Sequence, residues 1–314
     1  MATVTLFGVP HYYTLTPPRG TAPIVFIHGW LLSHRYWQPI IDEMARTHAC
    51  LAYDLRGFGE SSYELQGFQP GIPPRATSLK GSISPYGLGA YARDLAELLR
   101  QLQLDSAWLV GHSLGGSIAL WTAYCYPDLV KGVVALNAGG GIYLEQEFRQ
   151  FRQLGQHILK FRFPWLRHIP LLPFAFSRSM VSHPLAYRWG VERLNDLLKA
   201  DSDAALGTLL ETTTEAEVHL LPRIVTELPQ PVHFLGGSDD SVMDQKFVSH
   251  LAGYHRASGL YGAAVTEIPN CGHMAMVEQP DIVIEAIKAA IQGKPQDSRQ
   301  PQSDTMAGTE TVSW

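Results

Sequence analysis

Cysteine is scarce in this chain of 314 residues: Cys50, Cys125 and Cys271 are the whole complement. Three thiols cannot all pair with one another, and none forms a Cys-x-x-Cys pair. A disulfide framework is therefore not expected, and free thiols in a reducing cytoplasm are. Basic charge is not in excess either. The formal net charge of −5 argues against a nucleic-acid partner, which calls for a basic balance. The 13 histidines are scattered, with no His-Glu-x-x-His or His-x-His cluster, so neither a metal nor another cofactor is expected. No stretch is apolar for long enough to span a bilayer. Met1 to Pro10 carries no basic leader and no sustained apolar core, so no signal peptide is expected and the location should be cytoplasmic.

What the chain does have is apolar material: 46% of its residues are hydrophobic. That is enough for one large domain, or a domain with an insertion. Short apolar runs alternate with helical patterns, which predicts an α/β fold with a mostly parallel sheet flanked by helices. Pro23–Ile27, Ala49–Tyr53, Trp108–Val110, Gly132–Leu136, Val232–Leu235 and Val265–Ile268 read as strands. Tyr36 to Ala45 reads as a helix. Leu88, Tyr91, Leu95, Leu98, Leu99 and Leu102 repeat at helical spacing and mark one apolar face.

Three segments break the rhythm. Glu60 to Pro85 is a long loop rich in Gly, Pro and Ser. Residues 139–228 are helical and broken by prolines, and read as an inserted cap between two parts of the core, 1–138 and 229–292. Residues 293–314 are polar and read as a disordered tail.

The chemistry centres on Gly111-His112-Ser113-Leu114-Gly115. A strand leads into this Gly-x-Ser-x-Gly turn and a helix follows it. Such a turn holds its serine in a strained conformation with the hydroxyl pushed into the open. It also sets the helix N-terminus, with its free N–H groups, beneath the serine. Serine needs a base, and the base needs an orienting group. His273 lies on the loop after the last strand, at the sheet edge where reactive groups gather in open α/β sheets. The acid should stand on the loop Gly236-Gly237-Ser238-Asp239-Asp240. Only one of the two aspartates can point inward; the other should solvate the loop or cap the helix starting near Met243.

The oxyanion donors are read as the backbone N–H groups of Leu114 and of Trp30, with Leu31 the second choice for the latter. His28 and His112 border this site and read as structural, the first orienting its loop, the second packing.

These residues resemble the α/β-hydrolase-fold serine hydrolases, a family of esterases, lipases and carbon–carbon hydrolases. Three of its motifs are present: His28-Gly29, Asp54-Leu55-Arg56-Gly57-Phe58-Gly59-Glu60-Ser61, and Gly111 to Gly116. The order Ser113, acid, His273 is also the family's. The resemblance covers both core segments and leaves out the cap. It implies that Asp54 and Arg56 support the site, and its register from Pro231 favours Asp240 as the acid, with Asp239 the alternative. Relatives that form alkyl esters, such as epoxide hydrolases, carry aspartate at the elbow. Serine implies an acyl-enzyme, and a small or medium apolar carboxylic ester is the expected substrate. A carbon–carbon (dienoate) hydrolase, an acyltransferase and a non-catalytic small-ligand receptor of the same fold are the alternatives.

From Arg149 to Val191 the cap holds seven Lys and Arg residues and no Asp or Glu, interleaved with aromatics from Phe161 to Phe176. One reading is contact with anionic lipid. The other, adopted here, is an ordinary cap whose apolar side chains, Trp165 and Phe174 foremost, line the substrate pocket.

Overall fold

In the computed structural model, residues 2–62, 84–256 and 265–293 are described. The middle of the Gly/Pro/Ser-rich connection and the tail beyond Gly293 lie outside them. In chain order the elements are β1 (Ala2–Leu6), β2 (Val9–Leu15), β3 (Ile24–Ile27), α1 (Gln38–Met44), β4 (Cys50–Tyr53), α2 (Leu88–Gln101), β5 (Ala107–His112), α3 (Leu114–Cys125) and β6 (Val130–Leu136). They continue with α4 (Glu145–Lys160), α5 (Leu172–Phe176), α6 (Tyr187–Lys199), α7 (Ser202–Thr212) and α8 (Glu215–Glu227). The chain then returns to the sheet in β7 (Val232–Gly237), α9 (Gln245–Ala252), β8 (Val265–Ile268), α10 (Ala275–Glu278) and α11 (Pro280–Gln292).

The eight strands form one sheet in the order β1-β2-β4-β3-β5-β6-β7-β8, parallel from β4 to β8. The α/β class with a mostly parallel sheet is therefore as the sequence indicates. The first two strands are an addition to that reading. β1 and β2 form an antiparallel hairpin closed at Leu6↔Val9 by Phe7 and Gly8, both at positive φ. That is the geometry two-residue hairpin turns require. The helix expected over Tyr36 to Ala45 also divides, into a 3-10 turn at His34–Trp37 and α1.

Alternate residues of the central strands feed two apolar layers. Val25, Ile27, Leu51 and Leu109 face α2 and α3, through residues such as Leu95, Leu98, Ile118 and Trp121. Ile24, Phe26, Cys50 and Val110 face the other way, onto Trp37, Ile40, Val283 and Ile287. A sheet buried on both faces has nearly continuous apolar strands, which is why their period-2 signal is weak in the sequence.

Between β6 and β7 the described residues are helical. α8 sends Leu221, Ile224 and Val225 into the layer of α2 and α3. α4 behaves differently, burying only Gly155 along its length.

Candidate active site

Four strands deliver side chains to one edge of the sheet. Ser113 follows β5, Asn137 follows β6, Asp240 stands beyond β7 and His273 beyond β8. Each is at the carboxyl end of its strand, where parallel sheets leave a crevice.

Ser113 has φ 52° and ψ −117°. A non-glycine residue there is strained by roughly 1–3 kcal/mol and persists because its surroundings fix it. Its N–H donates to the Leu136 carbonyl at 2.9 Å. The glycines on either side are required by close approach. A Cβ on Gly111 would collide with the carbonyl oxygen of Gly115, and one on Gly115 with that of Ile27. α3 is thereby drawn against the end of β3, bringing its first turn beside the His28-Gly29-Trp30 segment. As the first residue of α3, Leu114 has no intrahelical acceptor for its N–H.

Asp240 and His273 meet through Oδ2 and Nδ1 at 2.8 Å, both side chains buried. The other oxygen, Oδ1, accepts from the N–H groups of Val242 at 2.8 Å and Met243 at 2.9 Å. Burial works to raise the Asp240 pKa. The attraction of and hydrogen bond from His273, the Met243 N–H and the Asn137 amide outweigh it, and the group sits below its ordinary value. Asp239 points elsewhere. It is exposed and accepts from Ser182 Oγ at 2.5 Å and Ser238 Oγ at 3.0 Å. Of the two roles expected for the second aspartate, solvating the loop or capping the next helix, exposed Asp239 takes the first. α9 begins at Gln245, and its cap is Asp244, which accepts from the Lys246 N–H.

Sequence reasoning missed Asn137. Its amide donates to Asp240 Oδ2 at 2.8 Å and to the Gly272 carbonyl at 3.2 Å, from a backbone at φ 49°. It also missed Glu278, whose carboxylate gathers the N–H groups of Gly272 and Met274 and, from the segment between β6 and β7, that of Ser182. The N–H of His273 in turn donates to the Met180 carbonyl at 2.8 Å. The histidine loop is thus held from the sheet and from the segment between β6 and β7 together.

Two further histidines beside the site are buried and hydrogen-bonded. His28 Nε2 accepts from the Leu55 N–H at 2.9 Å while Nδ1 donates to the Gly29 carbonyl at 2.7 Å. Burial pushes its pKa down to about 4. His112 Nε2 donates to the His273 carbonyl at 2.7 Å, and the rings are 4.8 Å apart. Burial, then the neighbouring His273, push its pKa down to about 3. Nearby, buried Asp54 accepts from the His34 N–H and ring and from the Glu60 N–H. Arg56 is buried on Asp94 at 2.8 Å and on the Pro85 carbonyl.

Trp30 donates from Nε1 to the Ala205 carbonyl in α7 at 2.9 Å, tying the end of β3 to the helices above it. Leu31 follows at φ 56°. Trp165 and Phe174 are exposed, and their ring contacts are within the segment between β6 and β7, to Phe163 and Tyr187 respectively. Among the described residues no group of three His, Cys, Asp or Glu side chains could hold a metal ion. No helix among them is long and apolar enough to cross a membrane.

Comparison with known proteins places this geometry in context. The model of the alpha/beta hydrolase family matches residues 24–286. A bifunctional esterase/perhydrolase of Acinetobacter calcoaceticus is 26% identical over 248 residues, 75% of this chain and 80% of that protein. A Bacillus subtilis (strain 168) protein with the provisional name 2-succinyl-6-hydroxy-2,4-cyclohexadiene-1-carboxylate synthase is 26% identical over 280 residues, 87% and 91% of the two chains. A thermophilic esterase from Thermogutta terrifontis shares the fold, with a TM-score of 0.68 at 21% identity over 93% of this chain and 96% of that one.

Proposed function

Since the chain belongs to the alpha/beta hydrolase family, we propose that it is a serine hydrolase working through an acyl-enzyme on a small or medium apolar carboxylic ester. The observation that carries this reading is the buried 2.8 Å bond between Asp240 Oδ2 and His273 Nδ1. With Nδ1 so occupied, Nε2 is the nitrogen left to take a proton, and Ser113 stands on the adjacent elbow at φ 52°. The cap assigned to 139–228 would close over this edge of the sheet.

In this mechanism His273 removes the Ser113 proton as Oγ attacks the ester carbonyl. Asp240 fixes the imidazole tautomer and stabilises the imidazolium that forms. The oxyanion of the tetrahedral intermediate accepts from the N–H groups of Leu114 and Trp30, donors that hold their places before charge develops. His273 then protonates the leaving alcohol. A water that loses its proton to His273 attacks the acyl-Ser113, releasing the acid and restoring the serine. Serine at the elbow, where epoxide-opening relatives carry aspartate, favours this acyl transfer over alkyl-ester chemistry.

The test is labelling by a fluorophosphonate together with turnover of p-nitrophenyl esters of graded acyl length. One label per chain is expected, lost in Ser113→Ala, with turnover falling on the order of a millionfold. Labelling that persists in Ser113→Ala overturns the assignment. Tight ligand binding with neither burst nor release turns the reading to a receptor.

A further inference from the structure

We propose that the cap carries a docking surface for an anionic phospholipid bilayer, built from the C-terminal half of α4 and the aromatic turn that follows it. The proposal is independent of the hydrolase reading. Its first support is exposure of side chains that a packed helix would bury. Leu154 and Ile158 lie four residues apart on α4 and so share a face. They are 60% and 38% exposed. Phe161, Phe163 and Trp165 continue from them at 55%, 44% and 58% exposed. Scattered exposed apolar residues are ordinary, whereas a continuous patch marks an interaction surface.

These rings are also held in place. Phe163 stacks on Trp165 at 6.0 Å, and Phe161 meets Phe163 edge-on at 6.4 Å. Arg162 between them turns the other way, donating to the carbonyls of Leu197 and Ala200 and to Ser202 Oγ. That anchor fixes the turn on α6 and α7 with its aromatics outward. A patch presented by a fixed backbone does not have to be ordered at the moment of binding.

Charge selects the occupant. The segment from Arg149 to Val191 has seven Lys and Arg and no Asp or Glu, in a chain whose net charge is −5. Among the described residues, Lys160, Arg167, Arg178 and Arg188 make no ion pair with a carboxylate. Instead they lie on aromatic faces or donate to nearby carbonyls: Lys160 over Phe161, Arg178 over Phe174, Arg188 over Trp189, and Arg167 to Pro164. A second copy of this chain would set these cations against the same cations. An anionic headgroup layer above an acyl phase meets both halves of the surface, with tryptophan at the boundary and lysine and arginine reaching the phosphates.

The test is co-sedimentation of the full chain with vesicles of phosphatidylcholine, with and without phosphatidylglycerol. Binding to the anionic vesicles should be at least about tenfold the stronger, and should weaken with salt. Lys160→Glu/Arg167→Glu should erase that preference. Phe161→Ser/Phe163→Ser should weaken binding to the anionic vesicles by about tenfold or more while leaving the melting temperature within a degree or two, since both side chains are exposed. No binding by the parent chain, or undiminished binding by the Phe161→Ser/Phe163→Ser variant, overturns the proposal. So does a lipid-free dimer that this variant dissociates, which would assign the surface to a second copy.

Discussion

His112 donates from Nε2 to the main-chain carbonyl of His273 at 2.7 Å, joining the residue before the elbow serine to the loop that carries the histidine. One ring therefore spans β5 and the β8 loop and sets the spacing between the two groups that the proposed mechanism brings together. The fit around it is close. A Cβ on Gly29 would lie 2.8 Å from His112 Nδ1.

From this contact follows the first prediction. His112→Phe keeps a ring but removes the donor, leaving a buried carbonyl bare at a cost of about 1–3 kcal/mol. The melting temperature should fall by several degrees. Because displacements near an ångström can cost up to about a hundredfold in rate, kcat should drop by roughly tenfold or more. His112→Gln, whose amide can donate, should recover part of both. An unchanged kcat in His112→Phe would confine His112 to packing.

The paired aspartates give the second. Asp240 holds His273, whereas Asp239 faces Ser182 between β6 and β7. Asp240→Asn should reduce kcat on the order of ten-thousandfold, the scale seen when a triad histidine is left in the wrong tautomer. Asp239→Asn should stay within a few-fold of the parent. Steady-state rates on one p-nitrophenyl ester decide between them, and the reverse ranking would make Asp239 the acid.

A third prediction concerns pH and a carboxyl remote from this pair. Asp196 of α6 is buried and accepts from Ser33 Oγ at 2.9 Å. Burial above all, with Asp54 and Glu192 nearby, pushes its pKa up to about 8, against the opposing effect of the Ser33 bond. In the unfolded chain it titrates near the ordinary value of about 4. The native state therefore keeps a proton that the unfolded state gives up between these values. What Asp196 adds to stability is complete below about pH 4 and drains away as pH rises towards 8. Asp196→Asn, neutral throughout, should melt higher than the parent at pH 8 and show a flatter dependence from pH 5 to 8. Parallel melting curves for the two proteins across that range would refute the buried proton.

How much of this was legible in the sequence depends on whether a signal was local. The elbow is local: glycines at 111 and 115 are demanded by the backbone contacts they make, so the motif announces its own geometry. The sheet was legible from β3 to β8 because buried parallel strands are short apolar runs. β1 and β2 were not, since their polar residues make a weaker pattern than the core strands do. The choice between Asp239 and Asp240 turns on which side chain points at His273, and adjacent residues on a loop give no periodicity to read. Glu278 was illegible for the same reason: its three N–H partners lie on two separate segments, one of them between β6 and β7. That the aromatics of Phe161–Trp165 are exposed was not legible either, because composition cannot say which way a turn faces.

Asn137 is the least legible of all and supplies the last prediction. It sits one residue beyond β6 at φ 49°, in a left-handed conformation that asparagine tolerates better than most side chains. Its amide holds Asp240 Oδ2 and the Gly272 carbonyl at once, so it acts on His273 through the acid and through the loop. Asn137→Ala removes both bonds and should lower kcat by about tenfold or more, on the same positioning argument. That alone would not separate positioning from packing. Asn137→Asp does, because it preserves shape and replaces a donor with a second carboxylate against Asp240. Two carboxylates at that distance cannot both ionise freely, so the pair must take up a proton at higher pH than Asp240 does alone. In the parent, Asp240 lies below its ordinary value and stays charged through mild acid. In Asn137→Asp the acid limb of kcat/KM should therefore move upward, by a unit or more, while Asn137→Ala moves it little. If the Asn137→Asp profile overlays the parent's, the amide only fills space beside the acid.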